Sequence, residues 1–123
     1  MKKSVLSVLS AVFLGLLTTA PANAGDAEAG EKVFKKCKAC HAVEAGKNKV
    51  GPSLAGVVGA EAGKVEGYKY SSAMMESGLV WDEVTLDAYL ADPKGVVKGT
   101  KMSFAGLKSE EDRADVIEYL KQH

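Results

Sequence analysis

The chain has 123 residues, 46% of them hydrophobic and 26% charged, and its 16 basic side chains equal its 16 acidic ones. That balance excludes a globally basic nucleic-acid binder. The length allows one small domain.

Lys2 and Lys3 stand before a mostly apolar run from Val5 to Leu17, which gives way to small residues ending in Ala22-Asn23-Ala24. A basic start, a short apolar centre and an Ala-x-Ala end form the pattern of a secretory signal peptide. The apolar run is shorter than the ~20 residues of a membrane span, and an uncleaved anchor is the rival reading. Cleavage after Ala24 divides the chain into a removed segment, 1–24, and a mature domain, 25–123, with 14 basic and 16 acidic side chains.

Asp26 is an N-cap for a helix predicted to run to about Cys40, with Gly30, Val33, Phe34 and Cys37 on one stripe. Glycine inside a helix costs about 1 kcal/mol against alanine, so Gly30 is expected to admit the close approach of another helix. The stripe ends in Cys37-Lys38-Ala39-Cys40-His41, which holds both cysteines and one of the two histidines.

Cys-x-x-Cys-His is the attachment spacing of c-type haem. Cysteines at i and i+3 of a helical turn face one side, where both thiols can add to vinyl groups along one porphyrin edge. The next side chain, His41, can then aim its imidazole at the iron. Three other readings stand beside this one. A thiol-disulfide redox pair usually follows a strand, and no β-branched run precedes Cys37. Structural zinc needs four ligands, and a second Cys-x-x-Cys or His pair is missing. The third is a chance match of two buried cysteines and a surface histidine. Export agrees with haem attachment, since c-type haem is joined outside the bacterial cytoplasm, where two free thiols would otherwise oxidise to each other. The mature protein is thus expected in the periplasm.

Ala42 to Gly67 is glycine-rich and non-periodic, including Gly46, Gly51-Pro52, Gly56, Gly59, Gly63 and Gly67. Loops of that length are usually functional, and a flat cofactor would give them a surface to cover. A short helix is predicted near Ser71 to Glu76, stopping at Gly78. Trp81 follows, and Asp82 then caps a helix through Leu86, Tyr89 and Leu90 that ends before Pro93. Lys94 to Leu107 is predicted as a loop holding Gly99-Thr100-Lys101-Met102. Ser109 caps a last helix, with Asp112 three positions on and an apolar face of Val116, Ile117 and Leu120. No stretch alternates well enough for a sheet, so the class is all-α. Such a small domain buries a thin core, which a porphyrin would complete.

Six-coordinate iron carries electrons, whereas an open site binds oxygen or peroxide. Of the four methionines, Met1 leaves with the signal peptide, and Met74 and Met75 fall in a short helix where core filling is the usual role. Met102 lies in a glycine-rich loop that can aim a side chain inward. From the residues alone, packing and ligation both stand for it. Lys35, Lys36, Lys38, Lys47 and Lys49 flank the haem motif, and Lys94, Lys98 and Lys101 cluster later. They form either a docking patch or ordinary solvated faces.

The motifs fall in one order: Cys37-x-x-Cys40-His41, Gly51-Pro52-Ser53-Leu54-x-Gly56, Gly67-Tyr68-x-Tyr70-Ser71, Trp81, Tyr89-Leu90-x-x-Pro93-Lys94 and Gly99-Thr100-Lys101-Met102-x-Phe104-x-Gly106. Over the whole mature chain this order resembles class I cytochromes c, in particular the soluble bacterial cytochrome c2 type, which is close to mitochondrial cytochrome c. The resemblance implies a cytochrome c fold of four to five short helices and long loops around one haem c, held through Cys37 and Cys40. It implies His41 and Met102 as axial ligands, with the Pro52 carbonyl accepting the His41 N–H. Tyr70 and Trp81 become partners of a buried propionate, Tyr89 a neighbour of the methionine sulfur, and Gly30, Phe34 and Tyr119 the crossing of first and last helices.

Two positions depart from the pattern. Ala60 stands where many members have an arginine near the propionates, and Met74 stands where mitochondrial proteins usually have an asparagine. The loop from His41 to Gly51 is also one residue shorter. The implied function is a monomeric, periplasmic carrier of one electron, not an enzyme. It would pass electrons from a cytochrome bc complex to a reaction centre, terminal oxidase or reductase, docking through a haem edge ringed by lysines. The rival functions are a haem enzyme or gas sensor with an open sixth site, and a thiol-disulfide oxidoreductase.

Overall fold

The computed structural model describes residues 11, 12, 14, 15 and 25–123. Apart from those first four positions, the signal segment expected over 1–24 lies outside the described residues. Among the described residues there are five helices: α1 (Ala27–Phe34), α2 (Ser72–Met75), α3 (Glu83–Ala91), α4 (Pro93–Val96) and α5 (Glu110–Leu120). One isolated bridge between Glu61 and Val80 is their only strand-like pairing. The all-α expectation holds.

Every helix starts on a side chain that accepts backbone N–H groups: Asp26 from Glu28 and Ala29, Ser71 from Met74, Asp82 from Thr85, Asp92 from Gly95 and Ser109 from Asp112. Each such cap satisfies donors that the first helical turn leaves open. Two boundaries differ from the sequence reading. α1 stops at Phe34, because the bonding tightens into i to i+3 turns, as in Cys37 N–H to the Phe34 carbonyl at 2.8 Å and Cys40 N–H to the Cys37 carbonyl at 3.1 Å. The apolar stripe runs on through these turns, so periodicity alone could not mark the change. The predicted Lys94–Leu107 loop in fact begins inside α4, where Asp92 caps and Pro93 takes the first helical position.

α1 and α5 cross at Gly30. A Cβ there would meet the Asp115 carbonyl and lie 2.8 Å from the Tyr119 Cβ, so only glycine permits the approach. Phe34 and Tyr119 pack beside it with ring centroids 5.3 Å apart, and Val116, Ile117 and Leu120 turn their apolar face into the same core. The Asp26 N–H donates to the buried Asp115 carboxylate at 2.8 Å, tying the start of α1 to α5. This crossing fixes where the chain leaves α1, and so where the Cys37–His41 turn begins.

Candidate haem site

A cavity of about 550 Å³ lies between the α1 exit, the long loops and α3. Its size falls within the usual range of small-molecule and cofactor sites. All eight residues expected at a haem line it: Cys37, Cys40, His41, Pro52, Tyr70, Trp81, Tyr89 and Met102. Leu54, Val57, Leu86, Phe104 and Leu120 complete a largely apolar wall.

On one side the chain turns through Cys37, whose carbonyl accepts the N–H groups of Cys40 at 3.1 Å and His41 at 2.9 Å. The two cysteines are not joined in a disulfide, and Cys37 is partly buried and Cys40 exposed. Burial pushes the Cys37 thiol above its ordinary pKa, with Lys36 pulling the other way. The Nδ1–H of His41 donates to the Pro52 carbonyl at 2.7 Å. With Nδ1 so occupied, Nε2 keeps the free lone pair. Burial, and secondarily Lys49, hold the imidazole below its usual pKa against the opposing Pro52 bond. The ring is therefore neutral at pH 7, the form that can ligate a metal. Among the described residues no group of three or more His, Cys, Asp and Glu side chains gathers into a metal site.

Gly51 was legible only as part of a motif. In the structure it lies against the His41 ring, and a Cβ there would stand 2.7 Å from Nδ1 and 2.8 Å from Nε2. Its N–H donates to the Cys40 carbonyl at 2.8 Å, so the same strand of loop clasps the cysteine turn and the imidazole.

The other walls come from α3 and the loop after α4. Met102, partly buried, donates its N–H to Thr100 Oγ1 at 3.4 Å, and that hydroxyl shares a 2.8 Å hydrogen bond with the Tyr89 hydroxyl. Thr100 thus joins α3 to the methionine, a role the sequence reading missed although the residue stood in the Gly99–Met102 motif. Burial raises the Tyr89 pKa, with the Thr100 bond opposing. Trp81 packs on Tyr89 with centroids 4.9 Å apart, and its backbone N–H donates to the Ala60 carbonyl at 2.8 Å. The Tyr70 hydroxyl accepts the Val65 N–H at 3.0 Å and so retains its own proton for an acceptor in the cavity. Buried Met74 and partly buried Ala60, the two departures, also line the space.

Among the described residues the lysines are all exposed, and Lys36 and Lys101 line the cavity. Several are locally engaged. Lys49 donates to the Lys38 carbonyl at 2.6 Å, Lys101 to the Lys69 carbonyl at 2.7 Å, and Lys47 pairs with Glu44 at 3.3 Å.

These residues fit haem c. Two thiols stand beside a neutral imidazole with a free nitrogen, a thioether lines the same apolar space, and a phenol proton is available for a carboxylate. Comparisons with known proteins agree. The family model for cytochrome c matches residues 27–123. Cytochrome c2 iso-2 of Magnetospirillum molischianum is 62% identical over 96 residues, covering 78% of this chain and 96% of that protein. Cytochrome c2 of Rhodomicrobium vannielii is 58% identical over 98 residues, 79% of this chain and 78% of the relative. The solved structure of cytochrome cH from Methylobacterium extorquens superposes with a TM-score of 0.77 at 53% identity, covering 80% of this chain and all of that one. With the attachment spacing at Cys37 and Cys40 and a cavity to match, the chain belongs to the cytochrome c family and is an electron carrier with covalent haem c, not an enzyme.

Proposed function

We propose that the protein is a soluble periplasmic one-electron carrier whose iron is held between His41 Nε2 and the Met102 sulfur. The observation that carries this reading is the bond from His41 Nδ1–H to Pro52, which leaves a single free imidazole nitrogen in the cavity that Met102 also lines. Haem, when bound, supplies an iron that cycles between ferric and ferrous states. His41 and Met102 are both neutral donors, and a thioether favours the ferrous state and raises the potential. The apolar wall acts in the same direction by disfavouring the extra ferric charge. Gly51, Pro52, Thr100 and Tyr89 hold the two donors from behind, so little needs to move as the electron arrives. Tyr70 and Trp81 serve a propionate, for which Tyr70 offers its hydroxyl proton.

Residues 1–24 act as a cleaved signal peptide and residues 25–123 as the working domain. The exposed lysines near the cysteine turn and the Met102 loop ring the haem edge and steer a monomeric carrier to acidic faces of membrane redox complexes. Those complexes are a cytochrome bc complex on one side and a reaction centre, terminal oxidase or reductase on the other. Rates with such partners fall as salt rises.

A redox titration of the purified protein, followed by exposure of its reduced form to carbon monoxide at neutral pH, tests the reading. A single one-electron step and no carbon monoxide binding are expected. Binding would mean an open sixth site and overturn it. The mass of the exported protein tests the cleavage point separately, since cleavage after Ala24 leaves Gly25 as the first residue.

A further inference from the structure

Arg113, the only arginine in the chain, is on α5 with its side chain just 12% exposed. Its Nε donates to Asp87 on α3 at 2.8 Å, and its Nη1 donates to the carbonyls of Leu107 at 2.9 Å and Lys108 at 3.2 Å. Those two carbonyls end the loop that carries Met102. The same loop end is pinned to α3 by the Leu107 N–H, which donates to the Leu90 carbonyl at 2.7 Å. Gly106 beside it has φ +113°, and a Cβ there would press on the Ala91 carbonyl.

From Lys101 to Gly106 the described residues make no backbone-to-backbone hydrogen bond. Apart from the Lys101 bond to the Lys69 carbonyl and the packing of Met102 and Phe104 against the core, the course of that stretch is held at its two ends. Thr100 holds one end through Tyr89, and Arg113 with Leu107 holds the other. A guanidinium suits this task because its rigid fork can bind a carboxylate and two carbonyls at once, which a flexible ammonium cannot reproduce. α5 also packs on α1, which leads into the Cys37–His41 turn, so one helix helps to fix both sides of the cavity.

We propose that Arg113 is a positioning residue for Met102: by tying Asp87 to the Leu107 and Lys108 carbonyls it resists withdrawal of the thioether from the haem pocket. The inference rests on the reading of Met102 as an axial ligand. It goes further by assigning the retention of that ligand to a side chain that does not line the cavity.

The test is a pH titration of the sulfur-to-iron charge-transfer absorption in the ferric holoprotein, alongside its midpoint potential and thermal stability. The unaltered protein is compared with Arg113→Lys, Asp87→Asn and Ile117→Ala. Ile117 is buried on α5 but does not line the cavity, so its variant lowers stability without touching the clamp. Arg113→Lys and Asp87→Asn are expected to lose the absorption about one pH unit or more below the unaltered protein, the roughly tenfold effect of losing hydrogen bonds to a charged group. Ile117→Ala should keep the original pH midpoint despite its lower stability. If the clamp variants keep that midpoint, or if all three variants shift only in proportion to lost stability, the inference is overturned while the Met102 reading stands. Absence of the absorption in the unaltered protein overturns both. Should Arg113→Lys fail to fold, Asp87→Asn decides alone, since the Asp87 side chain is 45% exposed and milder to replace.

Discussion

Replacing Gly51 with alanine tests how the imidazole is held. The added methyl would lie 2.7 Å from His41 Nδ1 and 2.8 Å from Nε2, well inside van der Waals contact. Gly51 does not hold a positive φ, so alanine brings no backbone penalty and the effect is steric. Either the ring swings away and loses its 2.7 Å bond to Pro52, or the Gly51 backbone retreats and loses its 2.8 Å bond to the Cys40 carbonyl. Overpacking of this kind costs about 1–3 kcal/mol. In a domain of this size that corresponds to a melting temperature lower by roughly 5–20 °C. The assay is thermal unfolding of the holoprotein followed at the haem band, with the midpoint potential measured on the same sample. Gly46→Ala is the control, because Gly46 has φ +76° and open space around its Cβ position. It should lose some stability through its backbone and leave the potential unchanged. If Gly51→Ala keeps the stability, spectrum and potential of the unaltered protein, the described hold on His41 is wrong.

Three further outcomes follow from the same geometry. Tyr70→Phe removes the hydroxyl that accepts the Val65 N–H, which should cost about 1 kcal/mol, and also takes a proton donor from the cavity. A lower midpoint potential is expected, and an unchanged potential would remove Tyr70 from the propionate. The Asp82 carboxyl is held below the usual carboxylate range by its hydrogen bonds from Thr85, backbone first and side chain second. A group depressed in the folded state stabilises above its unfolded pKa and loses that contribution as pH falls through the folded value. Asp82→Asn should therefore flatten the acid limb of stability against pH, and an identical acid limb would exclude the cap as its source. Lastly, the mature chain with Cys37 and Cys40 both changed to alanine and no haem should show little helical circular dichroism, because the cavity of about 550 Å³ would leave its core open. A cooperative thermal transition in that chain would show that the polypeptide folds unaided.

The parts of this protein that were legible in sequence are those encoded locally. The caps Asp26, Asp82 and Ser109, the cysteine turn and the apolar face of α5 each announce themselves within a few residues, and all were found where expected. Gly30 was legible because a glycine inside a helical stripe asks for a neighbour, and α5 is that neighbour. The end of α1 was not, because the Val33–Phe34–Cys37 stripe continues through turns bonded mainly i to i+3. α4 was overlooked although Asp92-Pro93 is a start signal, since its four residues carry too little pattern to stand out from a glycine-rich loop. The supports of the site were least visible. Gly51 lies ten positions after His41, Thr100 bonds across eleven residues to Tyr89, and Arg113 reaches back twenty-six to Asp87. Such pairings depend on how the loops close, and nothing in the local composition marks them.

The measurement that bears most directly on the central claim is the spectrum and midpoint potential of Met102→Ala beside the unaltered protein. If one imidazole nitrogen and one thioether grip the iron, the variant loses the sulfur-to-iron absorption and its potential falls, since methionine ligation raises it. A variant whose spectrum and potential match those of the unaltered protein would contradict the account.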